Sequence, residues 1–283
     1  MIQRTFQVLA CEVTIATACD EIAGKLDYLV VNAAQQYPLA RQVRYRIERN
    51  DVEYMVWEND DLWFRDGSAD RVLVELFRRV YAVVYLEMPG SPRLHAGSGA
   101  YDGRMFLAVG PKGAGKSTLM TRLLFDGFTV FGDEMVLGIG REVIALPRRF
   151  HLKAPGLDLL PEVAAIADRL PFVMADAGHR ILAFDPTDVG RPWTIRRAQP
   201  DAIFFLQPNH DGATSIEPCP KVSMIQALMT QSILDGDDGG AWIRSLVMLV
   251  SGAECYNLRV GDLSNAALLL GATLKQAMPA ETH

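Results

Sequence analysis

Two hydrophobic periods follow one another in the first ninety residues. Between residues 41 and 64 apolar and polar positions alternate in three short runs, RQVRYRIE, VEYMVW and DLWF, separated at Asn50-Asp51 and closed by Asp66-Gly67. That is the pattern of half-buried strands joined by turns. From Ser68 to about Leu86 the period lengthens: Val72, Leu73, Leu76, Phe77, Val80, Val83 and Val84 recur at helical spacing, with Ser68 or Asp70 in place to cap. The segment MPGSP (residues 88–92) then ends the helix and reads as a linker. Residues 1–90 are therefore expected to form a small α+β module.

Past the linker, strand and helix signals interleave. Residues 95–100, the turn Tyr101-Asp102-Gly103 and residues 104–109 predict a β-hairpin that feeds a glycine-rich loop. A helix is expected from Lys116 to about Phe125, then the strand FTVF, then MVLGIG and EVIAL paired across Gly140-Arg141. Later come the apolar strand AIFFLQ (residues 202–207), helices near 222–234 and 241–250, a strand over 255–260 and a closing helix from Asn265. The acidic run DGDDGG (residues 235–240) reads as a loop. Strands alternating with helices around such a loop predict an α/β domain over residues 91–283, with its site at the strand C-termini.

Composition narrows the function. Hydrophobic residues make up 49% and charged residues 22%, as in an ordinary globular protein. With 28 basic and 34 acidic residues the net charge is −6, and no stretch is dense in Lys and Arg, which argues against nucleic acid or anionic lipid as the partner. No run of about 18 apolar residues predicts a membrane span. The apolar stretch near the N-terminus is interrupted by Glu12 and followed by Asp20 and Glu21, unlike a secretory signal. Cys11, Cys19, Cys219 and Cys255 form no CxxC pair and are expected as buried free thiols, which fits a cytoplasmic protein.

Residues 110–118 read GPKGAGKST, an unbroken G-x-x-x-x-G-K-S match set between the apolar strand MFLAV and the helical run LMTRLL. Glycines let successive backbone N–H groups turn inward onto phosphate oxygens, and the helix opening at Lys116 adds its N-terminal dipole. Gly110, Lys112, Gly113, Ala114, Gly115, Lys116, Ser117 and Thr118 are the expected binding residues for a nucleoside triphosphate. Lys116 would reach the β- and γ-phosphates and the Ser117 hydroxyl would ligate Mg²⁺.

Phosphoryl transfer also needs carboxylates. Asp133 and Glu134 follow FTVF and Gly132, Asp133 lying seventeen residues after Lys116 (133 − 116), at the end of a strand expected beside the loop strand. Neighbours on an extended chain point to opposite faces, so both reach one site only through a kink, which Gly132 permits. Asp133 is assigned as base toward an acceptor hydroxyl and Glu134 as the metal carboxylate.

Residues 94–153 resemble the catalytic domain of HPr kinase/phosphorylase and its shorter relatives, which share a core with phosphoenolpyruvate carboxykinases. The likeness rests on His95 in RLHAG before the hairpin, the loop at 110–118, and Asp133-Glu134 in VFGDE. It implies ATP as the nucleotide, transfer to a serine of a protein or peptide, a catalytic histidine (His95) close to the phosphates, and a homo-oligomer. Glu134 stands where HPr kinases carry aspartate, and nothing like their EVRG-type signature is present, so neither HPr itself nor a reverse dephosphorylation is expected.

PRRFHLK (residues 147–153) offers Arg149 and Lys153 either as clamps for phosphate or an acidic acceptor, or as a solvated basic loop. Arg180, Arg191, Arg196 and Arg197 are further candidates for a lid arginine. Two other functions compete. A small-molecule kinase of the shikimate or gluconate type begins near its phosphate loop and sets a helix after the acid, whereas here about a hundred residues come first and the hairpin MVLGIGREVIAL follows. A nucleotide-responsive regulator with little transfer is the other; no NKxD box or LSGGQ-like segment points to a GTPase or a transporter ATPase.

Overall fold

The computed structural model describes residues 1–174, 178–210, 212–233 and 239–276, so residues 235–238 of the acidic run lie outside it. The fold is mixed α/β, with several sheets. Two compact units form, Met1–Pro89 with Pro147–Thr194, and Gly90–Leu146 with Ile195–His283. Besides the division near residue 90, the chain crosses between units at residues 146–147 and 194–195, which the hydrophobic pattern does not announce.

The first unit opens with the antiparallel strands β1 (Ile2–Val8) and β2 (Cys11–Thr17). In β2 Cys11, Val13, Ile15 and Thr17 are buried and the residues between them half-exposed, a period of two that identifies the inward face. β3 (Arg41–Arg49) joins β2 in parallel, and β4 (Tyr54–Glu58) and β5 (Asp61–Asp66) follow antiparallel, completing a five-stranded sheet. Helix α1 (Ala69–Leu86) is capped by Ser68, whose Oγ accepts from the Arg71 N–H at 3.3 Å. Its buried stripe includes Val72, Leu73, Leu76, Val80, Val83 and Val84, each side chain contributing about 1.5–3 kcal/mol on burial.

The second unit begins at β6 (Arg93–Leu94), and the predicted hairpin follows as β7 (Ala96–Tyr101) and β8 (Arg104–Val109). Asp102 at φ 50° and Gly103 at φ 79° supply the left-handed pair that a tight two-residue turn requires. Helix α2 (Lys116–Phe125) comes next, then β9 (Thr129–Gly132), β10 (Val136–Ile139) and β11 (Glu142–Ala145).

From Pro147 the chain adds β12 (Phe150–Lys153), β13 (Phe172–Met174) and β14 (Arg180–Phe184), a three-stranded sheet in the first unit. Contacts with α1 and its surroundings hold it there. Tyr81 Oη donates to the Pro147 carbonyl at 3.2 Å, and the His151 ring lies 5.0 Å from Tyr28 and 4.7 Å from Phe77, centroid to centroid.

The chain returns to the second unit with β15 (Arg197–Ala198), β16 (Ala202–Pro208), β17 (Ser215–Pro218), α3 (Lys221–Thr230), β18 (Ser232–Ile233), α4 (Gly239–Ser251), β19 (Glu254–Val260) and α5 (Leu263–Gln276). Its central sheet has the order β9-β7-β8-β16-β19-β17, and a second sheet has the order β15-β11-β10-β6-β18. In the central sheet β8, β16 and β19 are parallel, β7 is antiparallel to both β8 and β9, and β9 therefore runs with β8. The acid-bearing strand was expected beside the loop strand, but β7 lies between them. Its sequence AGSGA fits that place: a Cβ on Gly99 would stand 2.7 Å from the Thr129 carbonyl, so only glycine fits there.

Among the described residues no helix is long and apolar enough to cross a membrane. All four thiols are free, Cys11 and Cys255 buried and the other two half-buried.

Candidate functional site

One edge of the central sheet collects the candidate residues. β8 ends there at Val109 and continues into the 110–118 loop; β9 ends there at Gly132; β7 begins there after His95, with Ala96 paired to Val109 and Ser98 to Gly132. At this edge two adjacent strands leave the central sheet together. The chain passes from β6 through His95 into β7, and from β9 through residues 133–135 into β10, with Leu94 paired to Val136 in the second sheet.

A bulge at Phe131 sets up this double crossing. The register of β9 on β7 shifts between Val130 and Gly132, and the shifted register of Gly132 on Ser98 is the one that continues as Val136 on Leu94. The bend at Asp133-Glu134 then releases the two acids from strict alternation, which is how both come to act on one cation.

That cation is Lys116. Its side chain is buried, and Nζ donates to the carbonyls of Gly110 at 2.7 Å and Pro111 at 3.0 Å. Burial lowers its pKa, while the negative charges of Glu134 and Asp133 pull in the opposite direction. Both carboxylates therefore lie within electrostatic reach of the ammonium. Asp133 is fully buried; Glu134 is partly exposed and its Oε1 lies 3.0 Å from His95 Nε2.

The loop's backbone depends on its glycines. Gly113 and Gly115 hold φ of 86° and 87°, a region that favours glycine. Gly115 is the N-cap of α2 and provides no side-chain cap, and the first intrahelical bond is Leu119 N–H to the Gly115 carbonyl at 2.8 Å. The amides of Lys116, Ser117 and Thr118 thus head the helix without partners inside it. Lys112 and Gly113 are exposed, Ala114 is buried, and Ser117 and Thr118 are half-buried at the helix start. At the loop's entry, a Cβ on Gly110 would stand 2.9 Å from the Leu206 carbonyl, so β8 and β16 leave room for glycine alone.

The remaining candidates separate. Arg149 and Lys153 belong to the first unit. Arg149 is 4% exposed and ion-paired to Asp185 at 3.1 Å and to Asp188, and it also donates to the Ala183 carbonyl at 3.1 Å. It is neither a solvated loop residue nor a side chain open to a ligand, but the cation of a buried cluster; burial raises the Asp188 pKa in spite of it. Lys153 is exposed at the end of β12. Of the four lid candidates, Arg180 and Arg191 lie in the first unit. Arg197 is paired with Glu142 at 2.5 Å, whereas the Arg196 guanidinium lies 5.1 Å from the centroid of Phe131, two residues before Asp133. The sequence offered no way to choose Arg196. The register does, because Ile144 on Arg197 carries Arg196 alongside Ala145, which contacts Gly132.

No protein-family profile matches this chain, and no curated protein matches it. Among solved structures it is distantly similar to the HPr(Ser) kinase/phosphatase from Coxiella burnetii, with 11% identity and a TM-score of 0.31 over 65% of this chain and 94% of that one.

Proposed function

We propose that the chain is an ATP- and Mg²⁺-dependent kinase that transfers the γ-phosphate to a hydroxyl, that of a serine in a protein or peptide. The observation that carries this reading is geometric. The 110–118 loop leaves β8, and the bend bearing Asp133 and Glu134 leaves β9, at the same end of the central sheet with only β7 between them, which brings both acids within electrostatic reach of Lys116. A nucleotide binder alone needs the lysine and the amides. Two carboxylates brought to the same ammonium are what phosphoryl transfer adds.

The donor set fits a magnesium nucleotide. Amides at the head of α2 and the Lys116 ammonium suit a phosphate tail, and a hard cation takes oxygen ligands such as the Ser117 hydroxyl and the Glu134 carboxylate. Among the described residues no group of three or more His, Cys, Asp and Glu forms a metal cage; Mg²⁺ bound with substrate phosphates needs only one or two carboxylates. When bound, the magnesium nucleotide supplies the phosphoryl group and neutralises its charge.

The protein's own residues do the rest. Lys116 exchanges the Gly110 and Pro111 carbonyls for phosphate oxygens. Asp133 accepts the acceptor hydroxyl's proton on a carboxylate oxygen; its burial keeps bulk water from competing, so the hydroxyl must be delivered to it. Glu134 is the carboxylate that would hold the magnesium ion. Arg196, with an aromatic face as its resting place, is the arginine on hand for the transferring group or an acidic acceptor. Serine as acceptor and ATP as nucleotide follow from the resemblance of residues 94–153 to HPr kinases.

The test is transfer of labelled γ-phosphate from ATP to proteins or peptides of a cell extract. Labelling by the wild type and its loss in Asp133→Ala are expected. Undiminished labelling by Asp133→Ala removes the base assignment, and tight ATP binding without transfer to any acceptor makes the chain a nucleotide-responsive regulator.

A further inference from the structure

His95 touches a carboxylate here, and this contact gives it a different task from the one expected of a histidine beside phosphates. We infer that His95 is a positioning residue, whose Nε2–H holds the Glu134 carboxylate at the bend and which acts on the reaction through Glu134. The inference rests on the reading of the site as a magnesium-nucleotide site and specifies how its metal carboxylate is held.

The backbone carrying the ring is fixed on two sides. Leu94 pairs with Val136 of β10 on one side and with Ser232 of β18 on the other, and the His95 N–H itself donates to the Gln231 carbonyl at 2.7 Å. The register that places Leu94 on Val136 and Ser98 on Gly132 sets the bend at Asp133-Glu134, between β9 and β10, alongside the segment that carries His95. From there Nε2 reaches Oε1 at 3.0 Å.

The chemistry sets the direction of this bond. An ionised carboxylate only accepts, so the proton lies on Nε2, and a neutral ring is then the Nε2–H tautomer. That nitrogen is committed to Glu134. The need for such a hold follows from side-chain length: glutamate has one rotatable bond more than aspartate, and this one is about a third exposed, its side chain at 36%. Without His95 it loses one of the contacts that restrict its rotamers, and the carboxylate is held less tightly at the bend. Partners that orient a metal's carboxylate or histidine ligands are usually worth about 10–100-fold in metal affinity.

Two measurements test this. In the ligand-free protein at pH 8, imidazole ¹⁵N shifts, with His95 assigned from His95→Gln, should show His95 as the Nε2–H tautomer, and Glu134→Ala should move those shifts. A His95 protonated at Nδ1 alone, or shifts unmoved by Glu134→Ala, overturns the inference. The second is a double-mutant cycle read as the Mg²⁺ concentration at half-maximal nucleotide binding. His95→Ala should raise it about tenfold, His95→Gln should recover part of that, and His95→Ala added to Glu134→Ala should cost nothing more. Independent, multiplying effects mean that His95 acts on the nucleotide directly, and overturn the proposal. If the wild type binds no magnesium nucleotide the functional reading fails, while the tautomer measurement still decides whether His95 holds Glu134.

Discussion

Gly97 and Met120 are packed so closely that a Cβ on the glycine would stand 2.5 Å from the methionine Cγ and 2.8 Å from its Sδ. Through this contact α2, which begins at Lys116, sits down on β7, the small-residue strand between β8 and β9. Gly97 thus lets α2 lie close against the strand that separates the loop from the acid pair. Gly97→Ala should destabilise the protein by about 1–3 kcal/mol, the usual cost of overpacking a filled core. Adding Met120→Ala should cost less in the Gly97→Ala background than in the wild type, because it also removes the clash. Chemical denaturation of the four proteins checks this; strictly additive costs would contradict the packing argument.

The first unit holds its helix to its sheet through Glu58 and Arg79, whose two hydrogen bonds measure 2.6 and 2.9 Å. The glutamate side chain is 10% exposed, and the Arg79 hydrogen bond, opposed by burial, holds its carboxyl below the ordinary glutamate value of 4.5. A carboxylate with a depressed folded-state pKa stabilises fully above its unfolded value, and that stability is lost as pH falls through the folded value. Arg79→Ala should therefore cost about 1.5–3 kcal/mol near neutral pH, the value of a hydrogen bond to a charged group, with Tyr45 and Arg41 still favouring the carboxylate. It should also shift acid unfolding to higher pH. Denaturation between pH 3 and 7 measures both.

Arg196 is exposed, and its described partner is the Phe131 ring. Arg196→Ala should lower unfolding free energy by no more than about 1 kcal/mol, the value of an exposed cation–π contact. Phosphate transfer should fall by roughly tenfold or more, as expected for a charge-assisted hydrogen bond made to a transferring group. Arg197→Ala, which breaks the Glu142 pair, should leave the transfer rate near that of the wild type. Equal rates for Arg196→Ala and the wild type would exclude Arg196 from the site.

Local pattern carried much of this fold. Asp102-Gly103 announces the β7–β8 hairpin, the GPKGAGKST run announces the turn into α2, and Gly140-Arg141 announces the β10–β11 pair, because each is settled by residues close in sequence. Long-range pairing was not legible. Nothing in FTVF says that its partner is AGSGA rather than MFLAV; the run of small residues from 96 to 100 is the signal that a closely flanked strand leaves. The β1–β2 hairpin turns at Leu9 and Ala10, both buried, with Leu9 at φ 48°, where no glycine or asparagine marks a turn. Arg149 reads in the sequence as a phosphate clamp or a solvated loop cation because its partners, Asp185 and Asp188, lie more than thirty residues on. The bend that brings Asp133 and Glu134 to one lysine depends on a bulge at Phe131, which strand periodicity does not reveal.

Equilibrium titration of ATP with Mg²⁺ into the wild type and Lys116→Ala, both shown to be folded, tests the central claim most directly. Saturable binding by the wild type, weakened at least about tenfold by loss of the ammonium, is the expected result. Equal affinity in the two proteins, or no binding by the wild type, would contradict the assignment of this sheet edge as a nucleotide site.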